Sequence, residues 1–125
     1  MLVSRSRFDY AETVRRLLSG IERRWLTLFG RIDHAAAARE AGLELASEEV
    51  FVFGNPKAGT VLMQTDPRIG IELPLRILAW EDADGALLGY HDPRELAERY
   101  SVEPHVATLQ AMAGLLAELT SEATE

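Results

Sequence analysis

With 125 residues, 47% of them hydrophobic, the chain suits one domain that removes roughly two thirds of its unfolded surface from water. It has no cysteine, which excludes a disulfide framework, a thiolate zinc site and a cysteine nucleophile together. A net charge of −7 is the opposite of what a phosphate backbone attracts, and no run nears the ~20 apolar residues of a membrane span, so neither nucleic acid nor membrane is expected as a partner.

The opening MLVSRSRFDY has arginines but no continuous apolar segment, so no secretory signal is expected and the reading is a cytoplasmic protein. Leu2 and Val3 permit a first strand. Ala11, Val14, Leu18, Ile21 and Trp25 then recur at steps of three and four with Leu17 beside them, which predicts an amphipathic helix over about 9–24 with Asp9 as N-cap. The same periodicity puts Arg15, Arg16, Arg23 and Arg24 on its solvated outer face. Trp25 to Ile32 is rich in aromatic and β-favouring residues and reads as a strand.

Asp33, the alanine run 34–41 and Gly42 supply a cap, a helix and a stop. Val50 to Phe53 is a continuous apolar run, expected at the sheet centre or covered on both faces. Gly54-Asn55-Pro56 ends it, and Thr60 is expected to cap a short helical turn over 61–64 that Pro67 stops. Pro74 to Trp80 and Ala86 to Tyr90 read as a hairpin joined by Asp82-Ala-Asp-Gly85. Asp92-Pro93-Arg94-Glu95 opens a helix to about Tyr100, and Pro104 starts a last one over about 104–120, with Val106, Leu109, Met112, Leu116 and Leu119 on one face and a frayed tail.

The order (β)αβαβ(α)ββαα, without repeat or linker, makes residues 1–125 a single α+β domain: two layers, a small, largely antiparallel sheet with helices segregated against it.

Gly54-Asn-Pro-Lys-Ala-Gly-Thr60 invites comparison with a phosphate-binding loop, but Lys57 lies inside it and Thr60 follows the second glycine, so it is no Walker motif. What remains is a bend with amide donors and one ammonium, which suits a small anion; the competing reading is a plain turn with a solvated lysine. His34, in a helix's first turn beside Asp33, suits a general base or a metal ligand, or else a structural imidazole. His91 and His105 complete no metal-binding spacing, so no metal and no cofactor are expected. Glu81, Asp82 and Asp84 read as turn formers, no serine has a nucleophile-elbow context, and Met63 and Trp80 read as core.

The words RIDHAAAAREAGLEL, VFVFGNPKAGTVLMQTDPRIGIELPLRILAWED and YHDP, in order over residues 8–100, resemble the bacterial and archaeal family known as domain of unknown function 302. That resemblance implies a curved antiparallel sheet with helices on one side, like a single copy of the TATA-binding-protein-type fold. It also implies a homodimer and no established activity. Its motifs fall on Asp33-His34, Gly54–Lys57, Gly59-Thr60, Leu62–Gln64, Trp80–Asp82 and Tyr90 with Asp92-Pro93, while His91 stands where members carry asparagine.

Three functions follow as expectations. First comes a homodimeric binding module in which Asn55, Lys57, Thr60, Gln64 and Glu81 hold a small anionic ligand, with His34 converging on Lys57. Second is an interaction protein whose GNPKAGT and LMQ loops build the dimer. Third is an enzyme with His34 as base or ligand, Asp33 orienting it and Lys57 stabilising charge.

Overall fold

The computed structural model describes residues 1–125 as β1 (Leu2–Arg5), α1 (Tyr10–Arg23), β2 (Thr27–Asp33), α2 (His34–Glu40), β3 (Glu48–Gly54), α3 (Pro56–Thr65), β4 (Leu75–Asp82), β5 (Gly85–Tyr90) and α4 (Val106–Thr124). Short 3-10 turns occupy Pro67–Ile71, Pro93–Glu98 and Glu103–His105. The five strands form one sheet in the order β1-β5-β4-β3-β2, every pairing antiparallel. The α+β architecture expected from the sequence is the one observed.

Capping chemistry sets the helix starts. The Asp9 carboxylate accepts from the Glu12 amide at 2.8 Å, and that of Asp33 from the Ala36 amide at 2.9 Å, each satisfying a donor with no intrahelical partner. Gly42, at φ +78, closes the chain beyond α2 as its position predicted. Asp82 pairs with Gly85 across the β4–β5 turn, where Gly85 takes φ +125, a conformation that favours glycine.

Most of the large buried side chains of the sheet lie on one face; Leu87 of β5 is buried on the other. Phe51 and Phe53 of β3, Ile77 and Ala79 of β4 and Leu88 of β5 are covered by Val14, Leu17 and Ile21 of α1 and by Leu109, Leu116 and Leu119 of α4. The opposite face carries no helix.

The structure corrects several expectations. Val50–Phe53 belongs to β3, one place from the edge strand β2, and β4 is the central strand. Its faces are unequal: Phe51 and Phe53 are buried, while Val50 and Val52 are half-buried. Thr60 caps nothing. Asn55 caps α3 from a full turn earlier, with Pro56 at the first position, and the Thr60 hydroxyl donates back to the Pro56 carbonyl at 2.7 Å. The 92–100 segment is a 3-10 turn over Pro93–Glu98 capped by Asp92. The tail is ordered, since α4 runs to Thr124 and buries Ala123 and Thr124, whose carbonyl accepts from the Arg7 amide at 2.9 Å. Trp25 leaves the apolar stripe of α1 and is 94% exposed. Met63 is exposed and Trp80 half-buried, so neither is core.

Candidate functional site

Two hollows divide the residues singled out in the sequence. The first, about 740 Å³, is a groove between the starts of α3, β2 and α4. Leu26, Phe29, Met63, Leu73, Ala111 and Leu115 give it apolar walls, and Asn55, Lys57 and Thr60 bring polar groups from the first turn and a half of α3. The Asn55 carboxamide accepts from the Lys57 amide at 2.9 Å, so part of the donor capacity expected of this bend is already used by the cap. The Lys57 side chain makes no ion pair, which leaves its ammonium the one cationic group on the groove. A body of hydrocarbon with one anionic end matches that lining.

The second hollow, about 850 Å³, borders the helix-free face of the sheet. Ile32, Val50 and Leu78 meet Glu48, Arg76, His34 and His91 there. His34 and Lys57 therefore line different cavities, and the convergence expected of them is absent from this arrangement. Asp33 keeps its capping task. Gln64, exposed on α3, and Glu81, whose amide donates to the Ser47 carbonyl at 3.0 Å, border neither hollow. No group of three or more His, Asp or Glu side chains is arranged to hold a metal.

Some functional features had only a weak signal in the sequence. Arg31 forks onto Glu49 at 2.7 and 3.0 Å, giving the nearly buried Glu49 carboxylate its counter-ion. Burial, together with the Glu49 charge, pushes the neighbouring Tyr10 phenol up to about 12. Glu49 lies two places before Phe51 and so shares its inward face, a relation hidden in a continuous apolar run, and its partner comes from another strand. Asp82, read as a turn former, also binds Arg5 through two hydrogen bonds of 3.0 and 2.8 Å, which hold its carboxyl down at about 2. Arg23 and Arg24, expected in solvent, reach across to Glu122 of α4 at 2.9 and 2.5 Å.

A family model described as domain of unknown function DUF302 matches residues 2–119. The chain is 47% identical over 98 residues to the fluoride-specific ion channel FluC 1 of Brucella suis biovar 1 (strain 1330), a match covering 78% of this chain and 39% of that protein. FluC 1 of Brucella abortus biovar 1 (strain 9-941) matches at the same identity over 36% of its length. The chain thus spans less than two fifths of these relatives, and none of its own helices is long and apolar enough to cross a membrane. An uncharacterised conserved DUF302 protein from Bacillus stearothermophilus superposes with a TM-score of 0.87 at 14% identity, covering 98% of this chain and 96% of that one. That likeness is one of fold.

Proposed function

We propose that this chain, which belongs to the DUF302 family, is a homodimeric cytoplasmic binding module that takes a small amphipathic anion. One observation supports the reading above the others: an apolar groove of about 740 Å³ bordered by the single unpaired ammonium of Lys57. The hydrocarbon part of the ligand lies against Phe29, Met63 and Leu115, and its anionic head meets Lys57 with Asn55 and Thr60 beside it. A purely inorganic anion would leave the walls unused. Acid–base chemistry shared by His34 and Lys57 is not part of the proposal, because the two border separate hollows.

Calorimetry with straight-chain carboxylates from butyrate to dodecanoate tests it. Affinity should rise about fourfold per methylene, the equivalent of about 0.8 kcal/mol, until the groove is filled. Lys57→Ala should weaken every member by about two- to fivefold, the scale of one exposed charge pair at close range. Ala111→Trp should abolish binding by filling the groove from an exposed position of α4. Absence of heat across the whole series, or indifference to both substitutions, overturns the reading.

A second reading is favoured by the 47% identity to proteins named as fluoride channels. In it the domain acts beside such a channel and alters its opening. Fluoride efflux from vesicles holding a purified channel should change when this chain is added, and an unchanged efflux rate removes it.

A further inference from the structure

The helix-free face of the sheet has the wrong composition for a surface meant for water. An antiparallel sheet with one solvated side carries polar residues at its outward positions. Here the register sets Ile32 beside Val50, Val50 beside Leu78, Leu78 beside Gly89 and Gly89 beside Val3, an unbroken apolar row across all five strands. Val52, Trp80 and Leu87 extend it to either side. Val3 and Ile32, at the two ends of the row, are 50% and 51% exposed.

Four charged side chains share this face. Arg5 and Asp82 neutralise each other. Glu48 and Arg76 have no partner within the chain, and they flank the apolar row on opposite sides: Arg76 is level with Val52, and Glu48 is level with Trp80.

We propose that this face is the interface with a second copy of the chain, and that Arg76 of each copy pairs with Glu48 of the other. A two-fold axis through the centre of the face, between Val50 and Leu78, that sets Arg76 opposite the partner's Glu48 necessarily sets Glu48 opposite the partner's Arg76. Two ion pairs then close over an apolar centre, so the two unpaired charges satisfy each other only when the copies face each other. Five strands spaced about 4.8 Å apart and three rows of side chains about 7 Å apart make a face of roughly 24 by 20 Å, about 480 Å² in projection before side-chain relief, the scale of a small interface below the ~800 Å² per partner of the standard size. Two sheets packed in this way interdigitate as in a sandwich.

The inference rests on the homodimer in the functional reading and names its surface. Sedimentation of the whole chain should show a dimer. Glu48→Arg and Arg76→Glu should each raise its dissociation constant by about tenfold or more, since each sets like charges opposite one another twice. Mixed in equal amounts, the two variants should form a heterodimer within about threefold of the wild-type constant, because every facing pair is then opposite in sign. Circular dichroism melts of the variants should show both folded, and Leu78→Lys should separate the copies independently of the ion pairs. A wild-type chain that sediments as a monomer overturns the inference and the dimer together. A dimer indifferent to Glu48→Arg, Arg76→Glu and Leu78→Lys overturns this surface alone, and neither result touches the carboxylate titration of the groove.

Discussion

Trp25 shows how a single residue can run against its local rule. Its amide donates to the Glu22 carbonyl at 3.0 Å and the Leu26 amide to the Ile21 carbonyl at 3.3 Å, the paired bonds of a helix end that normally places glycine between them. Trp25 takes φ +56 there, where a β-carbon costs about 1 kcal/mol, and with 94% exposure its indole recovers almost nothing by packing. Trp25→Gly should therefore stabilise the fold by about 0.5–1 kcal/mol, read as a higher urea midpoint with unchanged slope. A lower midpoint would mean that the indole packs in solution. The sequence could not announce this position, because Trp at a step of four from Ile21 looks like one more member of the apolar stripe. The caps Asp9 and Asp33 were legible, since their task is settled within three residues of chain.

Elements were legible where local chemistry decides them and less so where distant chain does. The continuous apolar run of β3 and the acidic turn before Gly85 pointed to their strands directly, although the unequal faces of β3 did not show in that run. The start of α3 was misread because Gly-Asn-Pro has the composition of a turn, yet Asn followed by Pro is also a capped helix start, and only Leu62 packed in the core decides between them. The end of α4 was read as frayed because SEATE is polar. In the fold it lies beside α1, where Glu122 receives Arg23 and Arg24 and where Gly20 leaves room for Leu119. A β-carbon on Gly20 would stand 2.9 Å from Leu119 Cδ2, so the two helices approach closely at that point. Leu119 is fully buried, and Leu119→Ala should cost about 3 kcal/mol through lost burial and an unfilled cavity between the helices. Chemical denaturation measures it; a loss below about 1 kcal/mol would show that the helix pair collapses to fill the space.

At the scale of the whole molecule, carboxylates tie together elements far apart in the chain, and this makes the fold sensitive to acid. Arg5 holds the Asp82 carboxyl at about 2 and joins β1 to the central hairpin. Arg24 lowers Glu122 and joins α1 to α4. Asp66, nearly buried, is pushed further below the ordinary range, first by the Arg68 guanidinium and then by the Ser101 amide at 3.0 Å, which fastens the 67–71 turn to the segment before α4. A carboxyl depressed in the folded state stabilises it at any pH above the unfolded value of about 4, and that contribution disappears as pH falls through the folded values toward about 2. The net charge of −7 acts in the other sense, because partial protonation between about pH 7 and pH 5 relieves repulsion before any of these bonds is lost. Stability should therefore be highest near pH 5 and fall steeply between about pH 4 and pH 2, seen as urea midpoints across that range. Asp66→Asn keeps an acceptor for the Ser101 amide but gives up the charge facing Arg68. The variant should begin less stable at pH 7, and the gap should narrow as pH falls below about 4 without closing by pH 2, because the folded carboxyl titrates lower still. Midpoints that stay level down to pH 2, or a gap between the two proteins that does not narrow below pH 4, would place the acid sensitivity elsewhere than in these ties.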